Sequence, residues 1–156
     1  MNESIKKIFT LVTAALLLAV AASAQPRAVG LRFGGSAYSL ALGGELSYQH
    51  DLGANSFIDA TLGGYRYGAN IAATWNYIFA NVDNFNIYAG PGANFNTYNN
   101  GNGVLLDFGL LAQVGTEYRF GNVPLNIALE WRPGVYFFHG INFSPYGVSF
   151  AVRYRF

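Results

Sequence analysis

The chain has no cysteine. That excludes a disulfide framework and anchoring as a lipoprotein. Charge is scarce, at 11% of residues. The only two lysines, Lys6 and Lys7, belong to a leader. Beyond it, seven Arg balance seven Asp plus Glu. A near-neutral chain without a basic patch is not built for nucleic acid. Long hydrophobic runs are missing as well. After Leu31 no stretch reaches the ~20 apolar residues of a membrane helix. Yet 52% of the residues are hydrophobic and 17% aromatic, so the hydrophobicity must be distributed in another way.

The leader is a separate object. Lys6 and Lys7 form a positive n-region, Ile8 to Ala22 an apolar h-region, and Ala22-Ser23-Ala24 a small-x-small cleavage site before Gln25. This reads as a secretory signal peptide, residues 1–24, leaving residues 25–156 as a single domain. A retained membrane anchor is the alternative, for which the apolar core is short.

What is present is alternation. From Tyr146 to Phe156, Tyr146, Val148, Phe150, Val152, Tyr154 and Phe156 share one face. Gly147, Ser149, Ala151, Arg153 and Arg155 share the other. Period two is the strand period. The same rhythm recurs in strands expected at about Ala28 to Gly34, Ser39 to His50, Phe57 to Tyr65, Asn70 to Phe79, Phe85 to Asn96, Val104 to Phe120 and Leu125 to Phe138. With the last stretch this makes eight. Turn chemistry falls at Asp51 to Asn55, Asn81 to Asn84, Asn99 to Gly103 and Gly121 to Pro124. His139 to Pro145 reads as the last loop. The fold expected is all-β: an eight-stranded antiparallel up-and-down transmembrane β-barrel, apolar outward and polar inward. An even strand count puts both termini on one side, periplasmic by the usual arrangement. Pro91 and Pro133 resist this pattern, because a closed barrel has no free edge for proline; bulges or sharp bends are expected there.

The pattern resembles the small OmpA/OmpX-like outer-membrane β-barrels of Gram-negative bacteria, across essentially the whole mature chain. The resemblance rests on the architecture and on the terminal Val148-Ser-Phe-Ala-Val-Arg-Tyr-Arg-Phe156. An ending on Val152, Tyr154 and Phe156 is similar to the signal read by the barrel-assembly machinery. The leader ending Ala24-Gln25 looks like those of Bacteroidetes secreted proteins. The resemblance implies an outer-membrane location after export, contact with lipid and lipopolysaccharide, a monomer, and a role in envelope integrity, adhesion or surface interaction. Adhesive members carry long extracellular loops; these loops are short.

The candidate functional residues are the inward charges: Arg32, Glu45, Asp59, Glu117, Glu130, Arg132 and Arg153. Confined charges must be paired and hydrogen-bonded, and Arg binds carboxylates bidentately. The hairpin registers put Glu130 beside Arg153 and Arg132, and Arg32 diagonal to Glu45. Such a cluster is either a salt-bridge plug or a polar conduction path with a gate. An eight-stranded barrel is little wider than its own side chains. A lipid-processing enzyme would need a nucleophile, a base and a carboxylate in reach. His139 has Ser144 close in sequence but no carboxylate in the loop, and His50 lies at the opposite end. No catalytic, cofactor or metal site is therefore assigned. Aromatics gather at the strand ends in two sets. Tyr48, Tyr77, Phe79, Phe85, Tyr118, Phe120, Tyr154 and Phe156 fall on the periplasmic side. Tyr38, Tyr65, Tyr67, Phe95, Tyr98, Phe143 and Tyr146 fall on the other. They read as interfacial girdles; a ligand-stacking platform is the alternative for the outer set. Three functions remain open: a structural or interaction barrel, a narrow pore, and a lipid-processing enzyme.

Overall fold

The computed structural model describes residues 27–36, 39–65, 68–137 and 140–156. The signal peptide and its cleavage site lie outside the described residues, as do Tyr38, Tyr67 and His139. Strand segments run in chain order as β1 (Arg27–Ser36), β2 (Ser39–Gly53), β3 (Ser56–Tyr65), β4 (Gly68–Val82), β5 (Phe85–Asn99), β6 (Val104–Arg119), β7 (Leu125–Trp131), β8 (Gly134–Tyr136), β9 (Asn142–Ser144) and β10 (Val148–Arg155). Sequential neighbours pair antiparallel, and β1 pairs with β10 from Ala28↔Arg155 to Gly34↔Ser149, which closes the sheet on itself. β7 and β8 keep one register against β6, with Trp131 opposite Val114 and Gly134 opposite Leu111, so they are one barrel strand. β9 and β10 form another along the same neighbour. The ten segments therefore make a closed eight-stranded barrel.

The alternation explains the wall. Along β6, Asp107, Leu111, Gln113 and Glu117 are buried while Leu106, Phe108, Leu110 and Val114 are exposed. Along β10, Ser149, Ala151 and Arg153 are buried while Val148, Phe150 and Tyr154 are exposed. This is the inverse of a soluble barrel, and it is stable only where the outer face meets an apolar medium. The wall follows the expected parity along β6 and β10, and Arg32, Asp59, Glu117, Glu130, Arg132 and Arg153 are all buried. Phe57, Tyr88 and Tyr136 are the large rings inside.

Two tight turns fix two hairpins. Ala54 and Asn55 both have positive φ, 50° and 61°, the geometry whose twist matches paired strands. Asp83 at φ 54° begins the turn between β4 and β5. At the opposite end, Gly101 N–H donates to Asn99 Oδ1 and Asn102 N–H to Asn100 Oδ1, at 2.9 and 3.0 Å. Asparagine side chains thus supply the acceptors that the backbone of this loop lacks.

The prolines act differently from expectation. Pro91 keeps its pairing with Ala112 on β6. Toward β4, pairing resumes unshifted on either side of it, at Thr74↔Gly92 and Tyr77↔Ala89. A missing N–H costs pairing there but inserts no residue. The bulge of this ladder lies instead at Phe79, between Ile78 and Ala80. Pro133 does interrupt its strand, but the extra residue sits on the facing one. Between the Arg132–Gly147 bond and the Gly134↔Ser144 pair, Pro133 alone faces Pro145 and Tyr146. Gly147 takes φ 119° to make this bulge. The last barrel strand consequently begins at Asn142, inside the stretch read as a loop. Trp131 Nε1 donates to Pro145 O at 2.7 Å. This bond ties the indole to the bulged stretch on the facing strand.

Candidate functional site

Inward parity delivers the charges from several strands to one level of the lumen. Arg32 comes from β1, Glu45 from β2, Asp59 from β3, Glu130 from β7, Arg132 from the residue after it, and Arg153 from β10. Arg32 Nη1 donates to Glu45 Oε2 at 2.5 Å, and its Nε to Glu130 Oε2 at 2.9 Å. Arg153 Nη2 donates to Glu130 Oε1 at 2.6 Å and to Asp59 Oδ2 at 3.1 Å. Arg132 Nη2 reaches Asp59 Oδ2 at 3.1 Å, and Arg132 lies within 3.7 Å of Glu45 and 4.0 Å of Glu130. Three guanidinium groups and three carboxylates thus form one balanced network.

Two of these contacts differ in geometry from the sequence reading. Arg32 stands directly opposite Glu45 in the ladder, not diagonal to it. Arg153 pairs with Asn126, while Glu130 pairs with Ser149. The rung between them is Ala128↔Ala151, two buried methyl side chains. Their small size leaves a channel along which the Arg153 side chain extends to Glu130.

Neutral groups complete the coordination. Arg153 Nε donates to Ser47 Oγ at 2.7 Å, and Ser47 donates in turn to Asp59 Oδ1 at 3.0 Å. Tyr88 OH donates to Glu130 Oε1 at 2.7 Å. Gln113 accepts from Arg132 Nε and Thr74 Oγ1 at 2.7 and 2.9 Å and donates to Asp59 Oδ2 at 3.3 Å. Arg132 Nη1 donates to Thr61 Oγ1 at 3.1 Å. Charge-assisted bonds of this length are the strong class. Parity already put Tyr88, Gln113, Ser47, Thr61 and Thr74 on the lumen face. Their roles as bridges depend on relative height, which alternation does not encode.

Glu117 is not part of this network. No ion pair joins it to the other six among the described residues. On β6 it lies beyond Gln113 toward the turn, opposite Ala128. It binds Arg119 Nε at 2.6 Å, Asn126 Nδ2 at 2.9 Å and Asn86 Nδ2 at 3.0 Å. Arg155 is apart too, with Nη2 donating to the Phe120 carbonyl at 2.7 Å. On the other side of the central network, Tyr136 is buried beside Asn94 and opposite Gly109. Val152, Tyr154 and Phe156 all stand on the outer face, Val152 half-buried and the two rings exposed.

Among the described residues no group of His, Asp and Glu is placed to hold a metal ion. Ser144 is buried in β9, and its sequence neighbour His139 is outside the described set.

No family profile matches this chain, and no curated protein matches it. Among solved structures, the crystal structure of Neisserial surface protein A (NspA) is similar, with a TM-score of 0.55 at 16% identity, over 85% of this chain and 95% of that one. At that identity the likeness is one of fold, and the closed eight-stranded barrel is what the two chains share.

Proposed function

We propose that this chain is an integral barrel of the bacterial outer membrane, exported by its leader, with a structural or surface-interaction role and a lumen closed to ions. The observation that carries the reading is the six-charge network. Its members come from five segments of the wall and meet across the lumen at 2.5 to 4.0 Å. Glu130, Arg132, Arg153, Asp59 and Arg32 are each at most 5% exposed. Ions crossing at this level would have to separate buried, paired charges. The exposed apolar band supports a lipid surround. The structural neighbour is by its printed name a surface protein, which supports a surface role here. Lipid and lipopolysaccharide are the partners that band would meet. The assembly machinery would read Val152, Tyr154 and Phe156, and the barrel would act as a monomer.

Single-channel recording of the refolded mature chain tests the closed lumen. Silence is the expected result; steady conductance would replace the plug with a narrow pore. Fractionation tests the location. The mature protein should start at Gln25 and accompany outer membranes, and recovery from the soluble periplasm would overturn the membrane reading.

A further inference from the structure

The loop between β5 and β6 holds the only two Asn-Gly pairs of the chain, Asn100-Gly101 and Asn102-Gly103. Every residue from Asn99 to Val104 is exposed. An asparagine before glycine is open to one particular reaction. The backbone nitrogen that follows can attack the side-chain amide carbon, and glycine has no Cβ to hinder the approach. By residue type the two pairs are alike. Their hydrogen bonding makes them different.

At the first pair both reacting groups are engaged. Gly101 N–H, which carries the nucleophile, donates to Asn99 Oδ1 at 2.9 Å. Asn100 Oδ1 accepts from Asn102 N–H at 3.0 Å, and this bond holds the Asn100 amide in place. At the second pair, neither the Asn102 side chain nor Gly103 N–H is hydrogen-bonded among the described residues. A nitrogen whose proton is held must give up that bond before it can ionise and attack.

We propose that Asn102 is an intramolecular deamidation site, and that the side chain of Asn99 protects Asn100 from the same reaction. Gly103 N loses its proton to hydroxide and attacks Asn102 Cγ. The N–Cγ bond forms, the Cγ–Nδ2 bond breaks, and ammonia leaves with a proton taken from water. The cyclic imide then opens with one water at either carbonyl, giving aspartate or isoaspartate. The reaction consumes only water, which the exposed loop meets freely. No charged residue lies between Asp83 and Asp107, so the product places a negative charge on a hairpin tip that has none.

The test is incubation of the refolded barrel in detergent micelles at mildly alkaline pH. Peptide mapping by mass spectrometry then quantifies conversion at each asparagine. Asn102 should convert roughly 2- to 10-fold faster than Asn100, the rate equivalent of one net hydrogen bond. Conversion should slow on acidification, as ionisation of the attacking nitrogen requires. Asn99→Ala frees Gly101 N–H and should raise conversion at Asn100 by a similar factor. In urea the loop bonds are gone, and the two sites should convert at nearly equal rates. Equal conversion in the folded barrel, faster conversion at Asn100, or a rate at Asn102 no higher than at asparagines outside Asn-Gly pairs would overturn the assignment. So would a preference that persists in urea, or an Asn100 rate unmoved by Asn99→Ala. The parent chain alone gives the folded and urea comparisons, so they stand even if the variant does not refold.

Discussion

Tyr88 lies against the wall because Gly115, its cross-strand partner, has no side chain. A Cβ at Gly115 would sit 2.5 Å from the Tyr88 ring. The ring also packs edge-on against Phe57, with centroids 4.9 Å apart. This placement carries the hydroxyl to Glu130. Tyr136 uses Gly109 in the same way. Gly115→Ala should therefore destabilise the barrel by ~1–3 kcal/mol, the usual cost of overpacking. Urea unfolding in liposomes measures it, and Tyr88→Ala in the same chain should make the loss less than additive. Trp131→Phe removes the donor to the Pro145 carbonyl while keeping an aromatic ring. It should cost ~0.5–1.5 kcal/mol, the net worth of one hydrogen bond. At this scale the sequence told which way a side chain points. It did not tell how high along the lumen it sits. Glu117 has the right parity and charge, yet it belongs to a separate pairing with Arg119. Height depends on register, and the Glu130–Arg153 contact arises from side-chain reach past Ala128 and Ala151 and not from direct pairing.

At the level of strands, alternation was fully legible because each wall residue meets either lipid or lumen, with nothing between. Interruptions were less so. Proline marks a lost N–H, but which strand takes the extra residue is a property of the pair. Pro133 produced its bulge across the ladder at Pro145 and Tyr146, a partner its own neighbours in sequence do not reveal. Depth within the bilayer gives the sharpest test of the wall. Leu110 is 52% exposed on β6 and near mid-strand. Leu110→Arg should cost ~2–4 kcal/mol in a bilayer, whereas Tyr118→Arg at girdle level should cost ~0–1 kcal/mol. Equal tolerance of the two would mean that the apolar band has been placed at the wrong height. Gln113→Arg obeys different rules, since Gln113 is fully buried beside Arg132 and Asp59. A fourth guanidinium there would upset a balanced set.

For the molecule as a whole, the lumen network ties together arcs of the wall that are distant in sequence: Arg153 and Asp59 meet from opposite parts of the chain. Removing one member leaves the confined network one charge out of balance. Glu130→Ala and Arg153→Ala should each destabilise by ~3–5 kcal/mol. The double variant should be less unstable than the sum of the two, by thermal unfolding in liposomes. It should also leak ions where the parent is silent. Additive single variants combined with a conducting parent would argue that the charges line a path and do not close it.

The hydrogen bond from the Trp131 indole to Pro145 also makes the protein its own optical reporter. The chain contains two tryptophans, and Trp75 and Trp131 both face outward, on β4 and β7. With Trp75→Phe, a single tryptophan remains, and it sits where the last barrel strand docks on its predecessor. Its emission should change when that seam zips, so stopped-flow refolding would time the final closure without an attached dye. Brominated lipids quench an indole according to its depth. The same ring would then give the height of the seam in the bilayer, and Trp75 would give that of the opposite arc.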